Sequence, residues 1–428
     1  MGKVYIGGYM NYLIKGGRVI CPKSGVDKIA DLLIENGLVK AIENTISSED
    51  AEIIDAQGKI IMPGIVDIHT HMRTPGFEFK EDLVTGSNSA LAGGITTAVC
   101  MPNTKPALDT PETIKTLQNQ IKTQSKINIE IISAITKGIA GKELADMKAN
   151  HALGSVGFSD DGRTTMNDDY MMDAFQIAEE CSVPIITHCE DHDKSDLYKD
   201  QPAPPELEYT IVKRDIDLCA EANGRLHICH ISTKEGVAYV KEAKEKGLKV
   251  TCEVAPHHFA ITQEEINPLD PYTKVNPPIR TSDHKEAIIK GIVDGTIDVI
   301  ATDHAPHEKD SKEGRKFSEA SFGITGFETS LALSYTHLVK AGHISLNKLV
   351  EMMTTKPAEL LKLEAGSLAI FSPADLIIVD LDTTYKIDSN TFFSKGKNTP
   401  FNGKEVSGKV THTFVTGELK FKEGSLCQ

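Results

Sequence analysis

Apolar and polar positions alternate in short runs at both ends of the chain, whereas the middle reads as apolar runs separated by stretches with helical spacing. Residues 12–20 and 30–42 are β-type runs punctuated by glycine, the second interrupted by Asn36-Gly37, a pair suited to a tight hairpin turn. Antiparallel hairpins are predicted there. From residue 60 the predicted strands end near His69 and His71, Asn103, Lys137, Asp161, His188, His230, His257 and Asp303, roughly 24 to 46 residues apart. Each interval has room for a strand, a helix and two loops, so right-handed parallel βαβ units are predicted. Eight such units close an α/β (β/α)8 TIM barrel. Strand-like runs return at residues 374–380 and 410–417 and are expected to join the first hairpins in a small β-sandwich domain formed by both chain ends. The predicted division is residues 1–63 with 363–428 for the small domain and 64–362 for the barrel.

A nucleotide-binding doubly wound sheet is disfavoured. Ala92-Gly93-Gly94-Ile95-Thr96-Thr97 has neither the G-x-G-x-x-G spacing nor the Gly-Lys-Ser/Thr of a P-loop, and is predicted to pack a helix end onto the second barrel strand. Composition narrows the function classes further. With 40% hydrophobic and 25% charged residues among 428, the chain reads as globular, and its net charge of -15 excludes a nucleic-acid partner that would need a clustered basic surface. Apolar runs such as residues 376–379 are far below the roughly 20 residues that span a bilayer, so no membrane partner is expected. The first ten residues lack the apolar region of an export signal, which makes a cytoplasmic location the expectation. Eight cysteines with no Cys-x-x-Cys pair read as reduced, mostly buried thiols.

The chemistry gathers at the predicted strand ends. In Ile60-Ile61-Met62-Pro63-Gly64-Ile65-Val66-Asp67-Ile68 followed by His69-Thr70-His71, alternate strand residues share a face, so both imidazoles are predicted to point into the mouth of the barrel, with Arg73 one step further along that face. Neutral imidazoles and carboxylates are zinc ligands. His69 and His71 could hold one ion and His188 and His230 a second, with a carboxylate of Asp160-Asp161-Gly162 between them and Asp303 beside the reactive water. Adjacent strand-end residues point oppositely, so spacing alone leaves Asp160 and Asp161 open. His227 is predicted to face elsewhere, and His192, His257, His258 and His304 to support the site or lie at the surface.

His69-Thr70-His71-Met72-Arg73, Met101-Pro102-Asn103-Thr104, Ser159-Asp160-Asp161-Gly162, His188-Cys189-Glu190-Asp191, His230-Ile231-Ser232-Thr233, Asn276-Pro277-Pro278-Ile279-Arg280 and Thr302-Asp303-His304-Ala305-Pro306-His307 together resemble the amidohydrolase superfamily, and within it the bacterial class I dihydroorotases, over roughly residues 12–420. The resemblance implies a binuclear site of two zinc ions held by His69, His71, Asp161, His188, His230 and Asp303 and bridged by a hydroxide. It implies that His71, Arg73, Asn103 and His307 meet the substrate, the last three at its carboxylate, with Asn276 and the Phe322-Gly323 backbone against the ring. Asp161 stands where many superfamily relatives carry a carboxylated lysine, as it does in class I dihydroorotases, so no modified lysine is implied. Residues 1–11 fall outside the resemblance.

The implied reaction is reversible hydrolysis of the cyclic amide of (S)-dihydroorotate to N-carbamoyl-L-aspartate in de novo pyrimidine biosynthesis, with Asp303 as the catalytic base. Two alternatives stand beside it: a sister cyclic amidohydrolase (allantoinase, dihydropyrimidinase or hydantoinase), and a non-catalytic subunit scaffolding aspartate carbamoyltransferase. A homodimer and an association with aspartate carbamoyltransferase are both compatible with the sequence. The stretch from Glu308 to Lys316 is a candidate lid, equally readable as a solvated loop.

Overall fold

The computed structural model describes residues 10–427, and the parts of the expected small domain at residues 1–9 and 428 lie outside them. Strands β1 (Tyr12–Cys21), β2 (Val26–Glu35), β3 (Leu38–Glu43), β4 (Glu52–Asp55) and β5 (Ile60–Pro63) open the chain. The barrel strands follow: β6 (Ile65–Thr70), β7 (Ile95–Cys100), β8 (Asn128–Ser133), β9 (Ser155–Phe158), β10 (Ile185–Thr187), β11 (Leu226–Ile228), β12 (Val250–Val254) and β13 (Val299–Ile300). The chain closes with β14 (Leu376–Lys386), β15 (Glu405–Val415), β16 (Glu418–Lys422) and β17 (Ser425–Leu426).

Among the described residues, both chain ends form one nine-stranded sheet in the order β17-β16-β15-β14-β5-β1-β2-β3, with β4 also paired to β1. The predicted hairpin is present, with Asn36 at φ 53 and Gly37 at φ 80 in its turn. Not every pairing is antiparallel, however, because β4 and β5 run parallel to β1. In a flat sheet β1 and β15 would lie about 14 Å apart, three strand spacings. Yet the rings of Tyr12 and Phe414 are 5.1 Å apart, so the sheet curls until its faces meet over a core that includes Ile14, Leu32, Ile61 and Leu376.

The other eight strands are parallel, run β6 to β13 in chain order, and nearly close into a barrel surrounded by helices. Closure is made above the last strand, where Thr70 bridges His304 and the His71 N–H donates to the His304 carbonyl at 2.9 Å. Val66, Ile68, Val99, Met101, Ile132, Ile186, Val299 and Ala301 fill the bore, so the barrel is a packed core with its chemistry at the carboxyl end.

Two backbone features set the first strand. The apolar run that looks like one strand in the sequence is split at Gly64, where a Cβ would stand 2.0 Å from Thr96 Oγ1; β5 belongs to the small sheet and β6 to the barrel. Within β6 the pairing with β7 slips by one residue between Asp67 and Thr70. That bulge lets His69 face inward although Val66 and Ile68 also face the bore, which strict alternation would forbid. The helix Leu83–Gly93 is capped by Asp82, which accepts from Thr85 N, and ends at Gly94 with φ 81. A Cβ on Gly93 would stand 2.0 Å from the Phe327 carbonyl oxygen, which is why a double glycine precedes β7. All eight cysteines are unpaired, and all are buried except the half-buried Cys181 and Cys427. No helix among the described residues is long and apolar enough to cross a membrane.

Candidate active site

His69, near the end of β6, is fully buried, and its Nδ1–H donates to Glu253 Oε1 at 2.5 Å. That bond fixes the tautomer and leaves Nε2 facing Asp161 Oδ1 at 3.3 Å and Asp303 Oδ1 at 3.6 Å. His71 is held in the same sense, Nδ1 toward Asn103 Oδ1 at 2.9 Å and Nε2 toward Asp303 Oδ1 at 3.0 Å. His188, just past β10, lies with Nδ1 3.0 Å from His230 Nε2 and 3.9 Å from Asp161 Oδ1. The structure therefore brings His69, His71, Asp161, His188, His230 and Asp303 together, each at or just past the end of a different barrel strand except the first two.

The two aspartates of Asp160-Asp161 separate cleanly. Asp160 is spent on structure, accepting from Ile135 N and Thr136 N at 3.0 Å and from Thr165 Oγ1 at 2.7 Å. Asp161 points into the pocket, where Asn103 Nδ2 donates to it at 3.2 Å. Burial pushes the Asp161 carboxyl up, but the rings of His69, His71 and His188 outweigh that and hold it well below the usual carboxylate range. Asp303 follows the same logic: burial raises it, while His71, His69 and His230 keep it ionised. Its backbone lies in the left-handed region at φ 49, as does that of His230 at φ 29, conformations that cost a non-glycine residue of order 1 kcal/mol.

These donors fit a divalent cation. His69 Nε2 and Asp161 Oδ1 are buried without a hydrogen-bond partner although they face each other. Two overlapping groups, His69 with Asp161 and His230, and His69 with His71 and Asp303, each place their ligand atoms within 4.8 Å of one another. A third grouping, His69 with Cys229 and Glu253, is less suited, because burial pushes the Cys229 thiol far up and His69 Nδ1 already serves Glu253.

All of the cluster but His69 lines a cavity of about 410 Å³ that Arg73, His307, Asn276, Phe322 and Gly323 also line. Arg73 does not arrive by strand alternation as expected from the sequence. The chain leaves β6 at Thr70, and Arg73 sits in a turn at φ 57, so the left-handed backbone rather than the pleat aims it into the pocket. Its guanidinium donates to Pro306 O at 3.2 Å and to His307 Nε2 at 3.1 Å. Burial lowers Arg73 to about 10, leaving it a cation at neutral pH. Burial, reinforced by Arg73 and Lys80, pushes the His307 ring down to about 2, so it stands neutral beside that cation. A half-buried arginine lining a cavity without a carboxylate partner is a carboxylate-binding arrangement.

The 308–316 stretch is pinned at its centre rather than freely solvated. Lys312 is 1% exposed and donates to Pro271 O at 3.0 Å and Lys274 O at 2.8 Å, while Lys274 Nζ donates back to Phe317 O at 2.6 Å. Of the five other histidines considered from the sequence, His192 is partly exposed, whereas His227, His257, His258 and His304 are buried.

Two carboxylates escaped the sequence reading. Glu253, on β12, accepts from His69 and, at 3.1 Å, from His227 Nε2; burial raises it, but those two rings hold it far below its usual range. Glu190 stands 3.4 Å behind His188 Nε2 and accepts from Asn276 Nδ2 at 2.8 Å. Both orient a histidine whose other nitrogen faces the pocket. The available signal was a lone glutamate inside the apolar run of residues 250–254. Glu253→Gln is expected to weaken metal affinity about 10- to 100-fold with little change in thermal stability of the metal-free protein. Metal titration checks this, and an unchanged affinity would remove Glu253 from that role.

The chain matches the amidohydrolase family over residues 60–420. It is 41% identical over 422 residues to a dihydroorotase of Acetivibrio thermocellus, covering 96% of this chain and 99% of that one. A dihydroorotase of Bacillus cytotoxicus is also 41% identical, over 97% of this chain and 99% of its own. Among solved structures, the L-hydantoinase (dihydropyrimidinase) from Arthrobacter aurescens superposes with a TM-score of 0.90 at 29% identity, covering 98% of both chains. A dihydropyrimidinase from Brevibacillus agri shares the fold with a TM-score of 0.88 at 24% identity, over 97% of this chain and 96% of that one.

Proposed function

Because the chain belongs to the amidohydrolase family, and within it to the dihydroorotases, metal-dependent hydrolases of a cyclic amide, we propose that it interconverts (S)-dihydroorotate and N-carbamoyl-L-aspartate, a step of pyrimidine biosynthesis. The observation that carries this reading is the half-buried Arg73 and its partner His307 lining one cavity together with His71, Asp161, His188, His230 and Asp303 of the six-donor cluster. A ring substrate bearing a carboxylate can place that group at the pair and its amide at the cluster.

His69, His71, Asp161, His188, His230 and Asp303 would hold two divalent ions, zinc being the metal that nitrogen and carboxylate ligands suit best. Bound there, such a pair lowers the pKa of water toward neutrality and polarises the amide carbonyl. Arg73 donates two parallel hydrogen bonds to the substrate carboxylate, with Asn103 and His307 completing that subsite. Asn276 and the backbone at Phe322-Gly323 meet the ring. Asp303 takes the proton released as water attacks the amide carbon and delivers it to the departing ring nitrogen; in the closing direction it removes the proton from the carbamoyl nitrogen.

The ultraviolet assay of ring opening and ring closure on zinc-loaded protein tests this proposal. Turnover of dihydroorotate that is competed by carbamoyl aspartate, and not by hydantoin or dihydrouracil, supports it. The likeness to an L-hydantoinase favours a second reading, in which the preferred ring lacks a carboxylate. Faster hydrolysis of hydantoin or dihydrouracil than of dihydroorotate would select that reading instead.

A further inference from the structure

We propose that Asn398, carried by the loop between β14 and β15 and thus outside the barrel, is a positioning residue for the substrate side of the pocket. This rests on the reading of His307 and Gly323 as substrate-side groups. Asn398 is 2% exposed, and its amide Nδ2 donates to Ala305 O and to Gly323 O, both at 3.0 Å. Its Oδ1 accepts from His307 N and from Thr325 Oγ1, both at 2.9 Å. Two donors and two acceptor positions are all that an asparagine amide offers, so this side chain is saturated. Every one of its bonds goes to one of two segments, residues 305–307 and 323–325. Its own carbonyl adds a fifth link, accepting from Thr325 N at 2.8 Å.

No other residue type makes this bridge. Aspartate lacks the donors, leucine has neither donor nor acceptor, and glutamine is longer by a methylene in a packed interior. The bridged segments touch closely, since a Cβ on Gly323 would stand 2.7 Å from Ala305 O, and the loop carrying Asn398 lies as close to the first of them, since one on Gly396 would stand 2.6 Å from Pro306 Cβ. The loop itself is anchored to the barrel by two glutamates, the buried Glu81 and the half-buried Glu328. Ser394 Oγ and Lys395 N donate to Glu81, and Phe393 N and Ser394 N donate to Glu328. The segment after β14 is therefore tied down at the barrel wall and holds, through one amide, both the backbone of His307 and the carbonyl of Gly323. Asn398 does not line the cavity, so its effect on substrate passes through those two residues. A displacement of about 1 Å in a positioning group costs as much as about 100-fold in catalysis.

The test uses the full-length, zinc-loaded protein with dihydroorotate as substrate. Asn398→Ala is expected to raise KM about 10-fold or more while kcat changes less than about 3-fold and metal content is unchanged. Ser394→Ala, which loosens the same loop from Glu81 but leaves the four Asn398 bonds in place, is expected to keep the wild-type KM. In a His307→Ala background, Asn398→Ala is expected to raise KM by less than it does alone. Amide hydrogen exchange supplies a readout independent of turnover: Asn398→Ala should accelerate exchange at His307 and at residues 323–325 and not in β9 to β11. A thermal shift with unchanged KM, an equal KM rise in Ser394→Ala, or exchange accelerated evenly through the barrel would overturn the proposal. Should the wild-type protein fail to open dihydroorotate, the functional reading falls while the exchange comparison still decides the bridge. Selective acceleration at the two segments would support it, and its absence would sink it.

Discussion

Asp303→Asn is expected to reduce kcat for ring opening by about a thousandfold, within the range a positioned general base contributes, while the fold is retained. Asparagine matches aspartate in shape and keeps one oxygen for a cation, but it cannot accept a proton at neutral pH. The structure makes this replacement informative. Asp303 Oδ1 faces His71 Nε2 at 3.0 Å and His69 Nε2 at 3.6 Å, and the carboxyl is kept ionised against its burial by those rings. A base whose pKa lies below its ordinary value is in its proton-accepting form throughout the neutral range, so activity should be limited at the acid side by this carboxylate and its coupled neighbours rather than by free histidine. Turnover measured alongside metal content by elemental analysis separates loss of the base from loss of the ions. An Asp303→Asn protein with full metal content and near wild-type kcat would remove Asp303 from the proton-transfer role.

Arg73→Met is expected to raise KM about 100-fold, roughly 3 kcal/mol, with the metal content intact. The side chain is half-buried and charged, and its existing contacts to Pro306 O and His307 Nε2 hold the fork in place before substrate arrives, so little ordering entropy opposes binding. Arg73→Lys should recover only part of the loss, because an ammonium supplies a point charge where the planar fork supplies two parallel bonds. A second signature follows from the neighbouring ring. Burial is the largest cause of the low His307 pKa and Arg73 the next, so Arg73→Met should raise that pKa from about 2, as read by NMR titration. Loss of metal together with substrate binding would contradict the separation of roles between Arg73 and the six-donor cluster.

The anchoring of the loop after β14 carries a pH signature with a definite sign. Burial pushes the Glu328 carboxyl from 4.5 to about 7, against hydrogen bonds from Ser89, Phe393 and Ser394. Between those values the native state binds a proton that the unfolded chain has released, so the stability present below the lower value is lost as pH rises through the higher one. Glu328→Gln lacks that titration. Its stability relative to the wild type should therefore rise between pH 5 and 7, by about 2 kcal/mol, and level off above. Urea unfolding midpoints across that range give the result, and a difference independent of pH would mean that Glu328 is ionised in the folded protein.

Much of this architecture was legible in the sequence because it depends on local chemistry. The Asn36-Gly37 turn, the eight apolar runs and the change of period after residue 60 are properties of short segments, and the barrel follows from counting them. The candidate ligands were visible because a histidine or aspartate at the end of an apolar run is conspicuous, and the five strand ends that carry them converge only if the strands close a ring. What failed were inferences that extended strand geometry past where the strand stops. Arg73 looked like the next step along a face, but the pleat had ended at Thr70. The run from Ile60 to Ile68 looked continuous, but Thr96, distant in sequence, leaves room only for glycine at position 64.

By itself, the sequence determined the barrel and the small sheet drawn from both ends, and it offered the candidate metal ligands, since each follows from composition and period within a segment. Only the tertiary structure decided which of them face one another. It turned Asp161 inward by giving Asp160 partners of its own, set Glu253 behind His69, and brought Asn398 from beyond the barrel to the backbone of His307. The physical reason is the same in each case. A buried polar group must be satisfied by whatever the fold places beside it, and those partners lie 24, 184 and 91 residues away along the chain.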